Sequence, residues 1–225
     1  MSKVLAPLSS PRTTSPDRTD RMLNLRVRPA VGRVVDPLAT GLLRTGVSPD
    51  AVTAAGTLGV LVGALVFFPQ GMFFTGTAIV FFSVLTDLLD GAMARKLGRT
   101  SPFGAWLDST CDRVADAAIF SGLLLWFTGA GDDRLLGGVA LFCLVTGMIV
   151  SYAKARAEGL GLRCDVGLAE RAERLILVLV GTLLAGLGLP VALDVLLWVL
   201  AVASAITVGQ RLVEVRRQAG PADRS

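Results

Sequence analysis

The stretch from residue 72 to 128, MFFTGTAIVFFSVLTDLLDGAMARKLGRTSPFGAWLDSTCDRVADAAIFSGLLLWFT, decides the fold. It climbs through an uncharged apolar run, turns polar between Asp87 and Asp116, and falls into a second apolar run. A run that approaches roughly 20 residues is long enough to cross a bilayer core of about 30 Å as a helix. Two such helices, joined by a connection at 95–102, therefore carry their acids at the same end. Similar stretches recur on either side, and the spans read at about 51–68, 72–94, 103–128, 135–152, 175–189 and 191–208. Composition points the same way. Of 225 residues 52% are hydrophobic, and a mean hydropathy of +0.63 is more apolar material than a soluble domain of this size hides. The expectation is an all-α integral membrane protein with six transmembrane helices.

Residues 1–24 are rich in Ser, Thr, Pro, Arg and Asp and lack the apolar centre of a secretory signal, so they read as a disordered cytoplasmic tail. Residues 25–46 mix Arg26, Arg28, Arg33 and Arg44 with Leu, Val and Ala. That pattern suits a basic amphipathic juxtamembrane helix on an anionic lipid surface, interrupted by Pro29 and Pro37. The membrane domain then occupies 47–212, and 213–225 form a second cytoplasmic tail. Cys111, Cys143 and Cys164 have neither the number nor the spacing of a disulfide framework or a thiolate metal site. With both termini in the cytoplasm, only Arg134 of the 22 Lys and Arg residues falls on the outer side. The net charge of +4 follows from these basic helix flanks, and nucleic acid is not an expected partner.

This orientation gathers the unusual polar residues at the cytoplasmic face. Asp87, Asp90, Gly91 and Ala94 share one face of the second span, as Gly104, Asp108 and Asp112 do on the third. The short connection predicts antiparallel neighbours with opposed carboxylates. An ionised Asp within a membrane costs roughly 2.5 to 3.5 kcal/mol, so four of them call for cations. With no His in the chain, the ligands are hard oxygens suited to magnesium, manganese or calcium rather than zinc or copper. Four shared carboxylates could hold two metals about 3.5 to 4 Å apart around a phosphoryl or pyrophosphate group, or one Asp could act as general base. Gly91 and Gly104 either admit a bulky anion or pack helices, the reading that also suits Gly59 and Gly63. Asp116 lies one turn deeper than Asp112, outside this pattern.

Together these residues form the signature D-x2-D-G-x2-A-R-x8-G-x3-D-x3-D, matched at all eight positions from Asp87 to Asp112, with Arg95 at the arginine. The chain in this respect resembles the CDP-alcohol phosphotransferase family. The resemblance implies a six-helix, dimeric enzyme of the bacterial inner membrane, with its termini and active site cytoplasmic, that displaces CMP from a CDP-linked lipid by an alcohol hydroxyl. It implies Asp87, Asp90 and Asp108 as ligands of two magnesium ions, manganese being the other candidate, and Asp112 as ligand and base. It also implies contacts to CDP-diacylglycerol from Asp50, Ala51, Val52, Thr53, Gly91, Arg95 and Ser101. From the residues alone, Arg95 equally serves as an inner-face cation and Asp50 as a helix N-cap or first-turn acid.

Lys154, Arg156, Arg174 and Arg211 come from inner ends of the fourth, fifth and sixth spans, a possible clamp for an acceptor phosphate, although cations belong at these ends anyway. The segments SYAKARAEGLGLR from Ser151, ERAERL from Glu170 and LAVASAITVGQRL from Leu200 resemble the actinobacterial branch that uses an inositol phosphate. The likeness covers residues 42–212. It implies phosphatidyl transfer from CDP-diacylglycerol to 1D-myo-inositol 3-phosphate (L-myo-inositol 1-phosphate), with those four cations on the acceptor phosphate. The rivals are a relative using glycerol 3-phosphate, an intramembrane prenyltransferase, and a divalent-cation transporter. The last would place acids through the whole membrane thickness rather than at one face.

Overall fold

The structure, a computed structural model, describes residues 35–98 and 101–220, and the described residues contain helices and no strands. The tail at 1–24, the first ten residues of the expected amphipathic helix, residues 99–100 and the last five lie outside them. Residues 35–44 form helix α1. There follow α2 (Pro49–Val62), prolonged by a π turn at Gly63–Phe67 and a 3-10 turn at Phe68–Gln70, then α3 (Phe73–Lys96), α4 (Pro102–Thr128), α5 (Arg134–Gly159), α6 (Arg171–Gly186) and α7 (Pro190–Ala219).

Local chemistry explains the starts. Ser48 accepts from the Ala51 N–H ahead of Pro49, and Ser101 accepts from the Gly104 N–H ahead of Pro102, so each helix begins on a side-chain cap followed by proline at its first position. Asp133 caps α5 through the Leu136 N–H. Gly71, at φ +73°, makes the left-handed turn between α2 and α3. The final helix runs unbroken to Ala219, through residues 213–219.

The helix contacts close on themselves. α2 packs against α3 and α4, α3 against α6, α6 against α7, α7 against α5, and α5 against α4. Val60, Phe68, Val80, Ile119, Leu123 and Leu197 fill the interior. A hydrogen bond of 2.7 Å from Thr77 to Thr182 joins α3 to α6 there. Leu58, Phe82, Leu125 and Val195 point outward and are exposed, which suits a lipid surround.

One expectation is corrected. Although a short connection joins them, α3 and α4 make at most marginal backbone contact, because each is drawn onto α2 instead. The reason lies in small residues. A Cβ on Gly59 would meet the Ser83 side chain, one on Gly63 would meet Val80, and one on Gly122 would run into the Ala64 carbonyl. These glycines let α2 sit close to both partners, so Gly59 and Gly63 serve packing, and α3 and α4 splay apart where their acids lie.

Four helical segments are long and apolar enough to cross a membrane: Pro49–Gln70, Phe73–Lys96, Arg134–Gly159 and Pro190–Ala219. Every 18-residue stretch of α4 contains Asp112, Arg113 and Asp116, and α6 has 16 residues. Of the two, α4 carries the buried Asp116 and α6 the buried Arg174.

Candidate active site

Where α3 and α4 part, a cleft of about 690 Å³ opens beside the α1–α2 turn. Asp87, Asp90 and Gly91 line one wall, Gly104 and Asp108 the other, and Asp50 and Thr53 the floor. A second, smaller pocket lies deeper, and Asp87 belongs to both; Asp112, Cys111 and Arg171 complete it. The four acids thus meet at one end of the bundle in two adjoining compartments. A Cβ on Gly91 would approach only the Arg95 guanidinium, at 3.4 Å, so this glycine leaves the cleft wall bare. Of the two readings open from sequence, ligand approach fits Gly91.

Asp90 is 8% exposed, and Thr53 donates to its Oδ2 at 2.5 Å. This hydroxyl, from the helix that holds α3 and α4 apart, sets the carboxylate's orientation. A hydrogen bond to a charged group is worth about 1.5–3 kcal/mol. Thr53→Val is therefore expected to raise the metal concentration needed for half-maximal activity roughly tenfold, measured by metal titration at saturating lipid.

Not every expected contact reaches the cleft. Ser101 lines it while capping α4. Val52 is instead packed with Ala39, Ala92 and Met93, locking α1 and α2 to α3. Ala51 and Arg95 are exposed and lie outside its lining.

Arg171, which sequence reasoning passed over in favour of Arg174, enters from the first residue of α6. Its Nη2 lies 2.7 Å from Asp112 Oδ1 and 3.6 Å from Asp87 Oδ2, and its Nε is 4.0 Å from Asp116 Oδ1. The signal available was its position three residues before Arg174, on the same helical face. Among the described residues no three His, Cys, Asp or Glu side chains converge closely enough to hold an ion. A guanidinium instead bridges the two helices where positive charge is wanted. It stands in for a cation, and the all-oxygen donor set around it fits a hard divalent metal.

The expected acceptor cations are all at this end, but three have carboxylate partners. Lys154 Nζ is 2.7 Å from Asp165 Oδ1, and its hydrogen bond and charge hold that exposed loop carboxyl below its usual range. Arg174, 1% exposed, pairs with Asp116 at 2.6 Å. Arg211, 3% exposed, reaches Glu170 at 3.1 Å and donates to the carbonyls of Val166 and Val150. Arg156 is exposed. Asp116, without a role in the sequence reading, is the buried counter-ion of Arg174.

With Asp87, Asp90 and Asp108 lining one cleft and Asp112 the pocket beside it, comparison with known proteins is informative. Residues 46–209 match the CDP-alcohol phosphatidyltransferase family, and the chain belongs to it. It is similar to the phosphatidylinositol phosphate synthase of Streptomyces avermitilis, 52% identical over 219 residues that cover 94% of this chain and 90% of the relative. The Mycobacterium tuberculosis protein of the same name is 50% identical over 200 residues, covering 88% and 92%. The crystal structure of a Mycobacterium tuberculosis phosphatidylinositol phosphate synthase with CDP-DAG bound superposes with a TM-score of 0.82, covering 86% of this chain and 98% of that one at 50% identity. A second, in complex with manganese and citrate, gives 0.81 and covers 85% and 93%.

Proposed function

We propose that this chain is a metal-dependent phosphatidylinositol phosphate synthase of a bacterial cell membrane. The observation that carries the reading is the signature itself, divided between α3 and α4, with Asp87, Asp90, Gly91, Ala94, Gly104 and Asp108 lining one cleft from both sides and Asp112 the pocket that adjoins it. Relatives about 50% identical over nearly their whole length bear that name, and one holds CDP-DAG in its crystal structure. Six helices then span the bilayer, α4 and α6 among them, with the cleft and both termini cytoplasmic and two copies forming a homodimer.

Asp87, Asp90, Asp108 and Asp112 would hold two divalent ions, magnesium or manganese. Bound there, the ions supply positive charge that offsets the pyrophosphate of CDP-diacylglycerol in the transition state. Asp50, Thr53, Gly91 and Ser101 shape the cleft for the CDP group. Asp112 accepts the proton of an inositol hydroxyl as that oxygen bonds to the phosphatidyl phosphorus. The bond from that phosphorus to the CMP oxygen breaks, and CMP leaves with its electron pair. The acceptor's own phosphate falls to Lys154, Arg156, Arg174 and Arg211. For three of these the phosphate exchanges with a carboxylate already in place, namely Asp165, Asp116 or Glu170.

The test is CMP release from CDP-diacylglycerol by the detergent-solubilised protein with magnesium. The acceptors compared are L-myo-inositol 1-phosphate, glycerol 3-phosphate and free inositol. Release that requires the inositol phosphate is the expected result. Release with glycerol 3-phosphate alone would keep the reaction class and replace the acceptor.

A further inference from the structure

We infer that Arg171 is a tethered counter-ion that holds the carboxylate cluster together without metal and is displaced from it when divalent ions bind. The inference rests on the reading of the four aspartates as metal ligands. Three observations carry it. The guanidinium contacts acids of both α3 and α4, at 3.6 Å and 2.7 Å, and so neutralises charge across the gap where those helices make at most marginal backbone contact. Its Nε is buried without a hydrogen-bond partner, so the bridging pose leaves one of its donors unsatisfied. Its side chain is 27% exposed, whereas that of Arg174, three residues on, is 2% exposed, so the first has room to leave and the second does not.

A cation and a divalent ion cannot share Asp87 and Asp112 without strong repulsion. Metal binding therefore has to expel the Arg171 head, and the tether keeps it beside the cleft. Arg174, anchored on Asp116 and on the Ala169 carbonyl, fixes the first turn of α6 from which Arg171 swings. The arrangement offsets the charge of Asp87 and Asp112 when metal is absent, at the cost of competing with the metal.

Manganese alone is the probe, titrated into the full-length detergent-solubilised protein and followed by the electron paramagnetic resonance of free Mn2+. Arg171→Gln is expected to bind Mn2+ at least tenfold more tightly than the wild type, and to melt at a lower temperature without metal. Arg171→Lys, whose ammonium cannot bridge both acids, should fall between them. In the wild type, Mn2+ should increase phenylglyoxal modification of Arg171, read by peptide mass spectrometry, while Arg174 stays unmodified. Equal or weaker Mn2+ affinity in both variants, or modification of Arg171 indifferent to Mn2+, overturns the inference. If Asp87→Asn and Asp108→Asn leave Mn2+ binding untouched, the carboxylate reading itself fails and this one falls with it.

Discussion

Asp112→Asn is expected to lower CMP release at least about 10³-fold while leaving CDP-lipid binding largely intact. The size follows from what is removed. A general base contributes typically 10² to 10⁴ in rate, and the same substitution takes away an anionic metal ligand. The retained lipid binding follows from position, because Asp112 lines the deeper pocket with Arg171 and is not part of the large cleft wall, whereas Asp87, Asp90 and Asp108 are. Asp108→Asn is the comparison, since it should weaken lipid binding and turnover together. Asn keeps the side chain's volume, and Arg171 retains Asp87, so the variant should fold. Single-turnover CMP release alongside equilibrium binding of a CDP-lipid separates the two effects. Turnover within tenfold of wild type would remove Asp112 from proton transfer.

The legible part of this site was whatever helical periodicity alone determines. Asp87 and Asp90 on one helix, and Asp108 and Asp112 on the next, had to share faces once both segments were helical. Ser48 and Ser101, each followed by proline, cap the starts of α2 and α4, a signal that the span starts at about 51 and 103 did not draw on. What failed was inference from the loop. A short connection says that two helices are close at one end, and nothing in it reveals that Gly59, Gly63 and Gly122 pull both toward a third helix. The resulting splay makes the cleft.

Charge was the harder matter. Cations at the inner ends of membrane helices are expected on topology alone, so sequence ranks them poorly. Arg174 and Arg211, read as a phosphate clamp or as inner-end cations, are among the buried side chains, while Arg171 escaped notice and bridges Asp87 and Asp112, the latter also 3.7 Å from Arg113. Asp116 was illegible for the complementary reason. Its partner is 58 residues away, and no periodic pattern links α4 to α6.

That buried pair carries the second large effect. Asp116→Ala leaves the Arg174 guanidinium, 1% exposed and with an Nε that already lacks a partner, without its counter-charge. Removing one member of a buried ion pair costs about 3–5 kcal/mol, whereas replacing both with apolar groups is often neutral or stabilising. Asp116→Ala should therefore lower the melting temperature sharply, and Asp116→Leu combined with Arg174→Met should recover most of it. The same pair tests the acceptor clamp. If a phosphate is meant to exchange with Asp116 at Arg174, L-myo-inositol 1-phosphate should raise the melting temperature of Asp116→Ala more than that of wild type, since the anion fills the vacated place. The double variant, stable but without the guanidinium, should then show a raised KM for the acceptor and an unchanged KM for the CDP-lipid. No extra protection of Asp116→Ala, together with a normal acceptor KM in the double variant, would leave Arg174 as the anchor of α6 alone.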